Sequence, residues 1–410
     1  MDVKAEPVSP AESWGRDANG ELLLAGQPLS RVVAAVGATP CYLYDRARIT
    51  ARVDGLRARL PDGVLLHYAM KANPMPALVC HVAGLVDGLD VASAGELRVA
   101  LDSGMASEHI SFAGPGKSDA ELEQSVAAGI LVNLESFREV AVLARAGERL
   151  GLRPRVAVRV NLPFELKASG MKMSGGARQF GVDSELVPDL LRQIASADLG
   201  FEGFHMFAGS QNLRHAAIVE AQLKCYEQAL EWQDLLPAPV RSLNLGGGFG
   251  IPYTPGEAAL ETGPVFDNLA GLAQRLPGDW PGAHIVIELG RYLVGEAGIY
   301  VSRVVDRKVS RGQVFLVVDG GMHHHLAATG NFGQVIRRNY PVAVNRTDLG
   351  SETASVVGPL CTPMDLLADR MDLHRAEPGD LVVVFQSGAY GRSASPRGFL
   401  SHPEVVEALV

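Results

Sequence analysis

The stretch His67-Tyr68-Ala69-Met70-Lys71-Ala72-Asn73-Pro74 joins an apolar run to a turn. Residues 64–70 alternate enough to form a buried strand, and the Asn-Pro pair cannot continue it. Lys71 is therefore expected at the carboxyl end of a strand. In an α/β barrel the reacting groups collect at that end, and a lysine among apolar neighbours becomes nucleophilic enough to bond a carbonyl cofactor. Taken alone, a surface lysine that ends a strand is the more common case.

Length and composition bound the class of protein. With 410 residues, 47% of them hydrophobic, the chain should form one large domain and a smaller one. It contains no apolar run of about 18 residues and no signal peptide pattern, which predicts a cytoplasmic protein with no membrane partner. A net charge of −9 argues against nucleic acid as a partner. Four scattered cysteines without a CxxC pair predict neither a disulfide framework nor a zinc site.

Short apolar runs recur after residue 45 and alternate with segments of helical spacing. Ser93, Ser118 and Ser136 each begin a Ser-x-x-Glu motif, in which serine and glutamate satisfy helix-end amides reciprocally. Strand, cap and helix repeated in this way predict a (β/α)8 barrel over residues 45–290, with a doubly wound open sheet as the competing fold. The eight predicted strands are residues 64–70, 88–92, 109–113, 130–134, 156–160, 201–207, 242–245 and 284–288.

The two chain ends are expected to form a second domain, from residues 1–44 and 291–410. After residue 291, runs rich in β-branched residues follow one another without intervening helices, at 300–309, 313–318, 342–346, 354–357 and 381–385. This pattern predicts an antiparallel sheet, with which the arm before residue 45 pairs. Within the barrel, the irregular insert 161–179 is either a lid or substrate contact, or a plain surface loop.

Three groups at the predicted strand ends suggest a common ligand. The glycines Gly246, Gly247 and Gly248 follow a strand and would let backbone amides converge on a phosphate. Glu288 ends the eighth strand and could keep an aromatic nitrogen protonated. His205 lies in an apolar strand, as a satisfied core residue or as a flat ring beside a planar cofactor. Together with Lys71 these groups fit one cofactor, pyridoxal 5′-phosphate, which has an aldehyde, a phosphate and a pyridine ring.

The chain resembles the fold-type III pyridoxal-phosphate decarboxylases, which include the diaminopimelate, ornithine and arginine decarboxylases. The resemblance runs from about residue 40 to 406. It is carried by Tyr68-Ala69-Met70-Lys71-Ala72-Asn73, Asp90-Val91-Ala92-Ser93-Ala94-Gly95-Glu96-Leu97, His205 with Gly209-Ser210-Gln211, Gly246-Gly247-Gly248, Glu288 with Gly290-Arg291, Gly358-Pro359-Leu360-Cys361 and Gly388-Ala389-Tyr390.

The resemblance implies a role for each matching residue. Lys71 would carry the cofactor covalently, His205 would stack on its ring, and Glu288 would pair with the ring nitrogen. Cys361 would reach into the partner subunit's site as a proton donor, so the resemblance also implies a homodimer with shared active sites. The phosphate would be held by Ser210, the turn Gly246-Gly247-Gly248, Gly290, Arg291 and Tyr390.

The sequence departs from the family where the substrate is recognised. Thr362 follows Cys361 where the family has an acidic residue that contacts the distal amino group of the substrate, so free lysine, ornithine and diaminopimelate are not expected as substrates. The variant motif is similar to a bacterial branch found alongside acyl-carrier proteins. The expected substrate is an L- or D-amino acid whose side chain is neutral or is linked to a carrier, and an acyl-carrier protein is a candidate partner. The candidate substrate contacts are Arg159, Thr362 and Asp365.

Two other functions and a metal site are alternatives that the sequence also suggests. A racemase on the same barrel, or a non-catalytic relative that binds a protein partner, would share most of these motifs; intact Lys71, Glu288 and Cys361 favour decarboxylation. The tripeptide His323-His324-His325 suggests metal binding, but neighbouring side chains on a strand point to opposite faces, so no metal site is predicted.

Overall fold

Eight parallel strands close into a barrel, and each overlaps one of the eight apolar runs of the sequence. The strands are Val64–Ala69 (β1), Gly88–Val91 (β2), Ile110–Phe112 (β3), Leu131–Leu134 (β4), Arg155–Asn161 (β5), Gly200–Met206 (β6), Ser242–Gly247 (β7) and His284–Leu289 (β8). The structure is a computed structural model that describes residues 10–165, 171–172, 174–254, 256–334 and 336–410.

Closure of the sheet distinguishes the barrel from an open sheet. Each strand pairs in parallel with the next, β4 pairs with β5, and β8 pairs with β1 through partners such as Glu288 and His67. The predicted barrel is therefore confirmed. Most strand residues are buried on both faces because helices cover the outside and side chains fill the inside, which explains the nearly continuous apolar runs.

Helices follow the strands, but their caps differ in part from the prediction. Ser118 forms the full capping box with Glu121. Ser93 caps its helix, yet the Glu96 carboxylate accepts the N–H of Ala92 instead of that of Ser93. At the start of the helix Phe137–Leu150, Glu139 accepts the N–H of Glu135 and Ser136 makes no side-chain cap. Reciprocal capping at residues 93 and 136 was thus wrong, because each glutamate reaches one residue further back. The helices here are Arg46–Arg57, Pro76–Ala83, Ala94–Asp102, Asp119–Ala128, Phe137–Leu150, Val187–Ser196, His215–Leu230, Gly263–Asp279 and Arg291–Val294.

The chain divides into two units. The barrel unit comprises Ala51–Ile251 and Ala259–Tyr292, and the sheet unit comprises Met1–Thr50, Pro252–Ala258 and Leu293–Val410. The sheet unit contains helices Pro10–Trp14 and Leu29–Val36 and a sheet with the strand order Val342–Val344, Leu381–Val384, Gly298–Ser310, Gln313–Val318, Ser351–Val357 and Leu366–His374.

The sheet is mixed, not antiparallel throughout as predicted. Gln313–Val318 pairs in parallel with Ser351–Val357, because the chain crosses over between them. The amino-terminal arm does pair with this unit, as expected: Cys41–Tyr44 is antiparallel to Gly298–Ser310 and parallel to Val406–Leu409. Within the same unit, two short strands, Leu23–Leu24 and Gln27–Pro28, form a small hairpin.

The insert 161–179 is partly described. Residues 166–170 and 173 lie outside the described ranges. At its beginning, the Asn161 amide donates to Gly176 O at 2.9 Å and to Asp183 Oδ1 at 2.7 Å, while Met171–Lys172 pairs with Gly209–Ser210. Its role as a lid or substrate contact stays a prediction. Among the described helices, none is both long and apolar enough to cross a bilayer.

Candidate active site

Lys71 lies where β1 gives way to a single 3₁₀ turn, Met70–Ala72. Two hydrogen bonds fix the chain directly after this turn, and both involve Asn73. The Tyr68 hydroxyl donates to the carbonyl oxygen of Asn73 at 2.9 Å, and the Asn73 side chain accepts the N–H of Met75 at 3.1 Å. A buried tyrosine and an Asx-type bond thus fix the backbone that presents the lysine. Lys71 therefore lies at the carboxyl end of a strand, as the Asn-Pro turn predicted.

Lys71, Glu288 and His205 come together at three strand ends. The Lys71 Nζ lies 3.4 Å from Glu288 Oε1, and His205 Nε2 lies 3.0 Å from Glu288 Oε2. Glu288 and His205 are buried, whereas the Lys71 side chain is 43% exposed. The carboxylate therefore bridges an accessible amine and a buried imidazole.

The charges at this site favour an ionised Glu288. Burial alone would raise the pKa of its carboxyl, but the Lys71 charge and the hydrogen bond with His205 outweigh burial and hold the pKa well below its usual range. A carboxylate can only accept, so His205 Nε2 donates to it. The other ring nitrogen, Nδ1, is buried and has no hydrogen-bond partner among the described residues.

The three glycines after Asn244 pack against backbone. A Cβ on Gly247 would lie 2.2 Å from the carbonyl oxygen of Glu288, and one on Gly248 would lie 2.3 Å from that of Gly209. Gly246 adopts a φ of +66°, and its N–H already donates to the Asn244 side chain at 2.8 Å. Gly247 and Gly248 are required because neighbouring backbone leaves no room for a side chain, whether or not a phosphate binds here. Phosphate contacts of Gly246, Gly247 and Gly248 stay predictions.

Gly290 brings the end of β8 close to the lysine turn. A Cβ on Gly290 would lie 2.9 Å from the Ala72 side chain and 3.0 Å from the carbonyl oxygen of Ala69. Arg291 begins the short helix that follows, and Ser210 lies in the two-residue strand Gly209–Ser210. The barrel-unit residues predicted to hold a phosphate thus lie at or just beyond the carboxyl ends of β6, β7 and β8.

Arg159 is engaged in a buried ion-pair network. Its guanidinium lies 2.8 Å from Glu135 Oε1, and the same carboxylate accepts the N–H groups of Gly114 and Gly181. Lys117, fully buried, lies 3.0 Å from Glu139 and 3.9 Å from Glu135. The network ties together the ends of β3, β4 and β5. A substrate contact through Arg159 stays a prediction, and this pairing does not favour it.

A second polar chain runs across β1 to β4 and was not foreseen from the sequence. His67 Nδ1 lies 3.1 Å from Asp90 Oδ1, the Ser111 hydroxyl donates to the same oxygen, and the Asn133 amide donates to Ser111 at 3.3 Å. The signal available in the sequence was a single polar residue within each apolar run. Burial would lower the pKa of His67, but Asp90 outweighs burial and the pKa is raised.

Four predicted site residues belong to the sheet unit. Cys361 is exposed, Thr362 is half-buried, and Tyr390 is half-buried with a φ of +55°. Asp365 is buried, and both of its carboxylate oxygens accept backbone N–H groups of its own unit. A substrate contact through Asp365 stays a prediction that this geometry does not favour.

The three adjacent histidines lie after Gln313–Val318 and not on a strand. The rings of His323 and His324 have their centroids 3.7 Å apart, so the expectation that neighbouring side chains point apart was wrong: a turn, unlike a strand, does not alternate its side chains. His325 accepts the N–H of Ala328 and contacts the Ser387 hydroxyl at 2.9 Å. Within the described ranges, no three or more His, Cys, Asp or Glu side chains are placed to hold a metal ion.

The barrel unit fits pyridoxal phosphate. An accessible lysine amine suits the aldehyde, the adjoining buried and ionised carboxylate suits a protonated ring nitrogen, and an imidazole holds that carboxylate in place. The buried Nδ1 of His205 remains as a polar atom facing no described partner. These groups could therefore bind the cofactor and keep its ring protonated.

Comparisons with known proteins place these features in a family. Residues 46–295 match the family model described as pyridoxal-dependent decarboxylase, pyridoxal binding domain. The chain is 38% identical over 383 residues to an L-glutamyl-[BtrI acyl-carrier protein] decarboxylase of Niallia circulans, covering 90% of this chain and 88% of that one. It is 29% identical to a 2-[(L-alanin-3-ylcarbamoyl)methyl]-2-hydroxybutanedioate decarboxylase of Staphylococcus aureus, covering 92% and 96%. The crystal structure of Helicobacter pylori diaminopimelate decarboxylase with L-lysine superimposes with a TM-score of 0.80 at 28% identity, covering 93% and 94%.

Proposed function

The chain belongs to the family of pyridoxal-dependent decarboxylases, and we propose that it releases CO2 from an amino acid whose side chain is joined to an acyl-carrier protein. The family supplies the reaction class, a carboxy-lyase, and the cofactor, pyridoxal phosphate. The observation that carries the choice of substrate is Thr362, an uncharged residue beside Cys361. A substrate without a distal charge needs no partner charge there.

Chemistry limits how a carrier can hold the substrate. Decarboxylation removes the α-carboxylate, and covalent attachment to a carbonyl cofactor needs the α-amine, so both groups must be free. An acyl-carrier protein binds its cargo through a carboxyl group, as a thioester. A glutamyl group meets both conditions only when it is linked through its side-chain carboxyl. The far end of such a substrate is a neutral thioester.

The turn that carries Cys361 offers no free carboxylate in its described residues. Thr362 is uncharged, and Asp365 directs one oxygen to the N–H of Met322 at 2.5 Å and the other to the N–H of Leu360 at 2.8 Å. A free diamino acid would bring an ammonium that finds no ionic partner at this turn, and an unpaired buried charge costs several kcal/mol. The neutral end of a thioester carries no such cost.

Each proposed catalytic residue acts on a proton or a charge. When bound, pyridoxal phosphate supplies the ring that accepts the electron pair left behind by CO2. The Lys71 amine holds the cofactor, and the ionised Glu288 keeps the ring nitrogen protonated. His205 orients Glu288 by donating to Oε2, which leaves Oε1 facing the site. Cys361, exposed on the sheet unit, delivers the proton to the carbon that lost CO2.

The family resemblance also implies which residues hold the phosphate and how the subunits assemble. The residues that hold the phosphate are Ser210, Gly246, Gly247, Gly248, Gly290, Arg291 and Tyr390. The active unit is a homodimer in which Cys361 serves the partner's site, as the family resemblance implies. A cytoplasmic location is in keeping with the four cysteines, all of which are unpaired.

The test is CO2 release by the purified protein with added pyridoxal phosphate. Carrier-linked glutamate is offered beside free glutamate, diaminopimelate and ornithine, and we expect turnover of the carrier-linked substrate. Lys71→Ala is the control, in which both CO2 release and the visible absorption of bound pyridoxal phosphate should disappear. Equal turnover of free diaminopimelate or ornithine by the wild-type protein would rule out the proposed substrate class.

A further inference from the structure

The turn that carries Cys361 is folded around one buried carboxylate. Asp365 is 3% exposed. Its Oδ2 accepts the N–H of Leu360, the residue directly before Cys361, at 2.8 Å, while its Oδ1 accepts the N–H of Met322 from another segment at 2.5 Å. Its backbone oxygen accepts the N–H of Gly358 at 3.0 Å. Asp365 therefore closes the turn on itself and fastens it to the segment that contains Met322.

Two glycines leave room for this carboxylate. A Cβ on Gly321 would lie 2.1 Å from Asp365 Oδ1, and a Cβ on Gly358 would lie 2.3 Å from Oδ2. Neither glycine has a positive φ, so the backbone conformation at these positions does not require glycine. What requires it is the space taken by the carboxylate. Two hydrogen-bond donors and two glycines thus form a site built for the side chain of Asp365.

We propose that Asp365 is a positioning residue that holds the Cys361 thiol in place, and that it does not contact the substrate. The inference rests on the proposed role of Cys361 as proton donor. A proton donor must come within hydrogen-bond distance of the reacting carbon, and a displacement of about 1 Å can cost a hundredfold in rate. Hydrogen bonds from backbone N–H to an ionised carboxylate are among the strongest in proteins, which suits this task.

The chain beyond the turn is held independently of Asp365. The Arg337 guanidinium donates to Leu366 O at 2.7 Å and to Thr329 O at 3.1 Å. Leu366 begins the strand Leu366–His374, which pairs with Ser351–Val357. Loss of the Asp365 carboxylate should therefore loosen residues 360–364 while the strand stays in place. This makes a folded variant possible.

Three variants test the proposal. Asp365→Asn keeps the size of the side chain but sets an NH2 group against one of the two N–H donors. Gly358→Ala disturbs the same carboxylate without changing Asp365, because the added Cβ must displace Oδ2. Asp372→Asn is the matched control, since Asp372 is exposed and lies on the strand that Leu366 begins. Thermal melting establishes that each variant is folded.

The first measurement is hydrogen exchange of the Leu360 and Met322 amides in the protein without cofactor, so it does not depend on activity. We expect at least one of these amides to exchange about tenfold faster or more in Asp365→Asn and Gly358→Ala, and neither to change in Asp372→Asn.

The second measurement is kcat and KM with whichever amino acid the wild-type protein decarboxylates, so the proposed substrate class can fail without affecting this test. We expect kcat to fall about tenfold to a hundredfold in Asp365→Asn and Gly358→Ala, with KM nearly unchanged. A raised KM with unchanged exchange would mean that Asp365 contacts the substrate. Faster exchange with an unchanged kcat would mean that order in this turn does not serve the reaction. Either result overturns the proposal.

Discussion

Glu288 and Lys71 face each other across two adjacent barrel strands, with 3.4 Å between the carboxylate oxygen and the amine. The carboxylate is buried and the lysine side chain is half-exposed. A ligand can therefore reach the amine, while the carboxylate stays fixed beside it. The other carboxylate oxygen, Oε2, accepts a hydrogen bond from His205 Nε2 at 3.0 Å. Once Lys71 is neutral, Glu288 is free to stabilise another cation in its place. A site of this kind favours a ligand that carries a positive charge on its ring.

Glu288→Gln should abolish most of the activity. The amide is nearly the same size but carries no charge, so a protonated ring nitrogen loses its partner, and we expect kcat to fall by about a hundredfold or more. Steady-state CO2 release measures the effect. Glu261→Gln, at an exposed glutamate of the same unit, is the matched control. A Glu288→Gln variant with wild-type kcat would contradict the role assigned to Glu288.

Gly247→Ala should destabilise the barrel at the active site. The added Cβ would lie 2.2 Å from the carbonyl oxygen of Glu288, so the ends of β7 and β8 must separate, at a cost of about 1–3 kcal/mol. Urea unfolding of the protein without cofactor measures it. The control is Gly271→Ala in the helix Gly263–Asp279, where a Cβ meets nothing within 4 Å and alanine should stabilise by about 0.5–1 kcal/mol. Unchanged stability of Gly247→Ala would refute this packing argument.

Thr362→Glu should shift the substrate preference toward free diamino acids. A carboxylate beside Cys361 provides an ionic partner for a distal ammonium, and we expect kcat/KM for ornithine or diaminopimelate to rise about tenfold relative to the carrier-linked substrate. Competition between the two substrates measures the ratio. Thr362→Gln has a side chain of similar size without the charge and should leave the ratio near that of the wild type. A rise in Thr362→Gln as large as in Thr362→Glu would show that charge is not the cause.

The buried His325 should make stability depend on pH. Burial lowers the pKa of His325 to about 3, whereas an unfolded histidine titrates at about 6.5. Unfolding therefore takes up a proton between these values, so the stabilisation is complete above pH ~6.5 and is lost progressively as the pH falls toward 3. We expect the free energy of unfolding to fall less between pH 7 and pH ~5 in His325→Gln than in the wild type. Equal pH dependence of the free energy of unfolding in His325→Gln and in the wild type would show that His325 is not its cause.

Apolar runs that recur at short intervals along the sequence predicted the barrel. The eight apolar runs predicted strands whose observed ends differ by only one or two residues, because parallel strands buried on both faces must be apolar throughout. The sheet unit was harder to predict, since pairing between distant strands leaves no local signal. Its parallel pair, Gln313–Val318 with Ser351–Val357, depends on how the chain crosses over. The strand Leu366–His374 escaped prediction because Asp369, Arg370 and Asp372 interrupt its apolar residues.

By itself, the sequence determined the barrel, the position of Lys71 at the end of β1 and, through its motifs, the family. These features depend on local periodicity and on residue types that one chemistry requires. Only the tertiary structure decided how the charges are distributed. It placed Arg159 against Glu135, joined His67 to Asp90 across strands, and joined Asp365, a candidate substrate contact, to the segment that contains Met322. Such pairings join residues far apart in the chain, and only folding brings them within hydrogen-bond distance.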